Sequence, residues 1–131
     1  MTRLLVAALA LGFGALTLST SPAKAADIKV PKDTCVKPCQ ECAKECAECA
    51  KHAREHKMEA MARECELCHL MCLTCAHAVG TANPRAWAIC ELCENICNDC
   101  AAECERGTGE HAKKCAKACR DCATACANAR K

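Results

Sequence analysis

Four stretches of this chain place a cysteine at every third or fourth position. Cys35, Cys39, Cys42, Cys46 and Cys49 form the first run, and Cys65, Cys68, Cys72 and Cys75 the second. Cys90, Cys93, Cys97, Cys100 and Cys104 form the third, and Cys115, Cys119, Cys122 and Cys126 the fourth. All fourteen intervals within the runs are three or four, and the runs together account for all 18 cysteines. Thiols in such number can do three kinds of chemistry: disulfide bonding, thiol redox turnover, or capture of soft metal ions as thiolates. Which of these applies depends on how the chain presents the sulfurs.

Spacing by three and four is the signature of one helical face, because an α-helix advances 3.6 residues per turn. Each run is therefore expected to be a helix carrying a sulfur ladder along one side. Helix 1 is expected to start with Asp33 or Thr34 as N-cap, Pro38 falling near its first turn, and to end near Glu55. Helix 2 is expected from about Lys57 to Ala78, ended by Gly80 and Asn83-Pro84, and helix 3 from about Pro84 to Arg106. Gly107-Thr108-Gly109 then breaks the pattern, and helix 4 covers about Glu110 to Ala127. Between helices 1 and 2 there is neither Gly nor Pro, yet the two ladders run out of phase across residues 54–57, so a turn is expected there. Four helices with short connections predict an all-α fold, an antiparallel up-down-up-down four-helix bundle with a cysteine-lined core over residues 34–128. All eighteen thiols then point toward a common axis.

A disulfide scaffold is the plain alternative for an exported chain with an even number of cysteines. Within a run it is disfavoured, because side chains one helical turn apart have Cβ atoms about 5–6 Å apart whereas a disulfide requires about 3.5–4.5 Å. Bridges between helices stay open, although a few would suffice. Zinc and iron–sulfur clusters want discrete groups of ligands, and a continuous stripe does not divide into separate groups of four along the sequence. Monovalent copper fits on charge: if each thiolate bridges two Cu(I) ions and each ion takes two sulfurs, the ratio is one to one and the core is neutral. A c-type haem motif occurs at Cys65-Glu66-Leu67-Cys68-His69. However, C-x-x-C recurs in every run, and the bulky apolar residues that wall a haem pocket are scarce. A redox enzyme normally places its C-x-x-C once, at a helix start, and no other catalytic constellation stands out, so the chain is read as not an enzyme.

Composition supports that reading. Aromatic residues make up 2% of the chain, and cysteine occupies the places a core usually fills with Leu, Ile, Val and Phe. Residues 1–25 read as a cleaved export signal: Arg3, an apolar run from Leu4 to Leu18, and Ala23-Lys24-Ala25 as the cleavage site. That run is short of the ~20 residues needed to cross a bilayer. The expectation is an exported protein, periplasmic or extracellular, beginning with an arm over residues 26–33 and making no membrane contact after cleavage. Losing Arg3 and Lys24 would take the net charge of +2 to zero. No basic stripe or aromatic platform marks a nucleic-acid surface.

The runs CVKPCQECAKECAEC, CELCHLMCLTC, CELCENICNDCAAEC and CAKACRDCATAC resemble the bacterial copper storage proteins, over the whole chain beyond the signal. That resemblance implies a cysteine-lined four-helix bundle, copper(I) storage or sequestration with all eighteen cysteines as ligands, a homotetramer, and copper entering one end through His and Met. Exported members are associated with twin-arginine signals, and here only Arg3 precedes the apolar run. In the expected bundle, His52, His56, Met58, Met61 and His111 gather at the end where helices 1–2 and 3–4 join, and are the candidate rim for that uptake. His77, Val79 and Trp87 lie at the other end, expected to be closed, and His69 flanks the ladder of helix 2. Leu67, Leu70 and Leu73 face away from the sulfurs and, with Ile89 and Leu92, form the expected self-association surface. Copper donor or acceptor proteins are the remaining expected partners.

Overall fold

The computed structural model describes residues 30–131, so the expected signal peptide and the first half of the arm, residues 26–29, lie outside the described residues. Four helices follow in order: α1 Lys32–Glu55, α2 Glu59–Gly80, α3 Ala86–Glu105 and α4 Glu110–Ala129. Neighbours pack around a ring, α1 on α2, α2 on α3, α3 on α4 and α4 back on α1, which is the up-down-up-down bundle.

Small residues make the close packing possible. Alanines such as Ala43, Ala50, Ala62, Ala101, Ala116 and Ala123 are buried along the helix seams, while the cysteines fill the axis. Every one of the eighteen thiols is buried, fourteen-gap ladders having turned into four inward faces. Lys and Glu cover the outside in exposed pairs such as Lys37–Glu41 and Lys117–Asp121, which add little stability each.

The connections differ from expectation in instructive ways. The first helix begins earlier than Asp33 or Thr34: Pro31 is its N-cap, and the Thr34 hydroxyl donates back to the Pro31 carbonyl at 2.7 Å. Gly80 does not end α2 by a left-handed turn; it is the last helical residue, and Ala82 takes the left-handed backbone instead, at φ 53°. Asn83 N–H bonds the Ala78 carbonyl at 2.8 Å and Ala82 N–H the Val79 carbonyl at 3.1 Å, a Schellman closure. The same closure ends α1. Lys57 is left-handed at φ 58°, Met58 N–H reaches the Ala53 carbonyl at 2.8 Å, and Lys57 N–H reaches Arg54 at 3.1 Å. Hence a turn exists where the sequence has no glycine: six-to-one bonding and burial of Ala53 hold a residue type that would not choose this backbone alone.

Candidate metal centre

The backbones on opposite sides of the ring stay apart, but their sulfurs meet on the axis. Cys68 of α2 is 3.8 Å from Cys119 of α4, Cys72 is 3.9 Å from Cys122, and Cys35 of α1 is 3.9 Å from Cys90 of α3. Along the axis the contacts continue from Cys65–Cys104 at 3.6 Å to Cys75–Cys90 at 3.6 Å. The result is one column of touching sulfurs, all of them free thiols. No polar or charged side chain is buried with them among the described residues.

Within the column the thiols gather in overlapping fours. Cys35/Cys39/Cys75/Cys126, Cys39/Cys93/Cys122/Cys126, Cys42/Cys72/Cys97/Cys122, Cys42/Cys46/Cys68/Cys119 and Cys46/Cys100/Cys115/Cys119 each keep their sulfurs within 4.8 Å of one another. The grouping is across helices, so it is invisible to spacing along one of them. Members are also shared between groups, and in that sense the column remains continuous.

Burial raises the pKa of every thiol, and sulfur–sulfur hydrogen bonds then divide the set. Neighbouring thiols pull Cys119 down, Cys100 foremost and then Cys115, Cys42 and Cys46. Cys42 is pushed up, first by Cys119, and Cys72 and Cys97 are pushed up, each first by Cys122. Metal binding must therefore displace protons from part of the column.

At one end the ladders run on into weaker donors. His52 lies three residues beyond Cys49, Met61 four before Cys65, and His111 four before Cys115, so each continues the inward face. The His52 ring lies 4.3 Å from His56 and 4.5 Å, stacked, from His111, centroid to centroid. His52 and His56 line a pocket of about 230 Å³ together with Met58, Met61 and Gly107, and His111 joins them only through its stack on His52. Met61 is buried and Met58 half-buried, placing one thioether inside the mouth and one at its lip. Gly107 was legible only as a helix breaker; it also leaves the space that Met61 uses, since a Cβ there would stand 2.9 Å from the Met61 methyl.

The opposite end is shut. Val79 is fully buried and Val30 and Ala86 nearly so, with Trp87 packed against them. Arg130 lies over the Trp87 ring at 5.3 Å and pairs with Glu94 and, at 3.6 Å, with Glu91. His77 is exposed there, and His69 is no ligand of the column: its Nδ1 is 2.8 Å from the Ala43 carbonyl, joining α2 to α1.

A copper storage protein family model matches residues 28–131. The chain belongs to that family. Among solved structures it is similar to apo copper storage protein 3 from Bacillus subtilis, 32% identical, with TM-score 0.73, covering 76% of this chain and 99% of that one. It is likewise similar to the Cu(I)-bound form of that Bacillus subtilis protein, 32% identical, with TM-score 0.71, covering 74% of this chain and 95% of that one. Among curated protein sequences there is no significant match. The family is one of storage, and among the described residues the thiols form a repeated column with no distinct nucleophile–base pair.

Proposed function

We propose that this chain stores copper as Cu(I), about one ion per cysteine by bridging thiolates, within the closed column of the bundle. The observation that carries the proposal is a buried column of eighteen free thiols with no buried charged partner among the described residues. A cargo bound there must leave the core near neutrality, since uncompensated charge in so apolar a place is costly. Monovalent copper at one ion per thiolate meets that condition, and the similar Bacillus subtilis protein is known in a Cu(I)-bound form.

Copper enters through the His52, His56, Met58, Met61 and His111 rim and passes to Cys49, Cys65, Cys104 and Cys115, the first sulfurs below it. Imidazole and thioether hold Cu(I) less tightly than thiolate, so the ion moves inward down a gradient of affinity. The protein is exported after cleavage before Ala26, and self-associates as a homotetramer through Leu67, Leu70, Leu73 and Leu92, all exposed, with Ile89 beside them. Donor and acceptor proteins exchange copper at the rim.

Anaerobic titration of the reduced protein with Cu(I) beside a strong chelator tests the storage reading. Fewer than about nine tightly held ions per chain, half of what one-to-one bridging requires, would refute it. Stopped-flow uptake by a His56→Ala, Met58→Leu, Met61→Leu variant tests the rim: slower loading to the same capacity is expected, and an unchanged rate assigns these residues to end packing.

A further inference from the structure

One group of four stands out within the column. Cys42, Cys46, Cys68 and Cys119 are mutually close, with Cys42–Cys119 and Cys46–Cys119 at 3.6 Å and Cys42–Cys46 and Cys68–Cys119 at 3.8 Å. A tetrahedral zinc–thiolate centre with Zn–S near 2.3 Å has sulfur–sulfur edges of about 3.8 Å. Four of the six edges of that tetrahedron are thus already set in the metal-free protein. The positions come from three helices, two from one turn of α1 and one each from α2 and α4, so the bundle itself fixes them.

We infer that the copper-free chain also captures a divalent ion of the zinc and cadmium class, tetrahedrally, at Cys42, Cys46, Cys68 and Cys119. The inference does not rest on copper storage. Binding replaces four S–H bonds by four metal–sulfur bonds and releases four protons, with no change of oxidation state, and leaves two negative charges on the centre. Two consequences follow from the surroundings. Filling this group withdraws Cys42 from the group with Cys72, Cys97 and Cys122, and Cys46 and Cys119 from the group with Cys100 and Cys115. Divalent ions therefore stop at a few per chain. The uncompensated charge, with no buried cation beside it, also makes them displaceable by Cu(I), whose one-to-one filling is neutral.

Cobalt(II) is the optical probe. Anaerobic titration of the reduced protein should give intense visible d–d bands and thiolate charge-transfer absorption with the first equivalent, bleached by Zn(II) and again by Cu(I). Cys68→Ser should weaken the first cobalt site by at least about tenfold, while Cys90→Ser, outside this group, should leave it intact. Cys68→Ala, with circular dichroism to confirm the helices, separates loss of a ligand from loss of the fold. Weak bands of octahedral cobalt, or strong bands indifferent to both Cys68 substitutions in a folded chain, would overturn the inference. A low Cu(I) capacity would refute storage and leave the cobalt result standing.

Discussion

Gly107→Ala is the sharpest probe of how the open end is built. The backbone at Gly107 needs no glycine for its conformation, because no glycine among the described residues has positive φ; what it needs is room. An added Cβ would lie 2.9 Å from the Met61 methyl, 3.0 Å from the Ala112 Cβ and 3.2 Å from the Cys104 carbonyl oxygen. Ordinary carbon contacts begin near 3.5 Å, so the new methyl must retreat by about half an ångström or its neighbours must. Met61 can rotate away, but Ala112 is fixed on α4 and the Cys104 carbonyl on α3, so part of the strain stays. Overpacking of this kind costs about 1–3 kcal/mol, which for a domain of this size lowers the midpoint by roughly 5–15 °C. Gly80→Ala is the control, since a Cβ there meets nothing within 4 Å and the residue is helical. It should match or exceed the parent, by up to about 1 kcal/mol. The assay is thermal unfolding of the copper-free protein by circular dichroism, followed by stopped-flow Cu(I) uptake. Loading should slow as the Met61 thioether is driven from the mouth. A Gly107→Ala midpoint equal to that of Gly80→Ala would refute the packing described for this end.

Other outcomes follow from the same geometry. Cys42, Cys72 and Cys97 are pushed up and so hold protons at neutral pH, which compete with metal; copper retention against a pH-insensitive chelator should therefore fall as pH drops from about 8 to about 5. A flat profile would mean that these thiols are already ionised. Ala82→Gly should stabilise the bundle by about 1 kcal/mol, because it relieves a left-handed alanine, and denaturant unfolding reads this directly. Arg130→Ala should cost about 1–2 kcal/mol and alter Trp87 fluorescence, by loss of the stacked guanidinium and its Glu94 pair, without changing the rate of copper uptake at the other end. Leu70→Glu should dissociate the oligomer in light scattering if α2 is the self-association face.

The bundle was legible because a single residue type marks the inward face of all four helices. Spacing alone placed Cys35 through Cys126 on the axis, and counting along the ladders brought His52, Met61 and His111 to one end. What could not be read was whatever depends on two helices at once. The groups of four combine cysteines from different helices, such as Cys42, Cys46, Cys68 and Cys119, and no interval along one helix encodes that. Local propensity also misled at the turns. Gly80 advertises a left-handed stop, yet the chain stays helical through it and turns at Ala82, because Asn83 and Ala82 can bond Ala78 and Val79 only one step later. The packing of Arg130 over Trp87 needs the tertiary approach of α4 to α3, which no spacing along either helix encodes.

Cysteine as a core residue resolves a conflict that any storage protein of this design must face. Ligands must be numerous and close together, yet the empty protein must fold before cargo arrives. Carboxylates or imidazoles packed in such density would demand water or counter-charges in the core. A protonated thiol instead behaves as a small hydrophobe, so the empty column packs as a core, with neighbouring sulfurs at contact distances of 3.5–4.0 Å. The same sulfur becomes a soft anionic ligand when a metal displaces its proton, and one monovalent ion per thiolate restores the neutrality on which the buried column depends. Packing and ligation thus require the same residue at the same positions. That is why the ladders can run without interruption and why alanine, rather than leucine, fills the seams beside them: larger side chains would hold the helices too far apart for opposite sulfurs to meet.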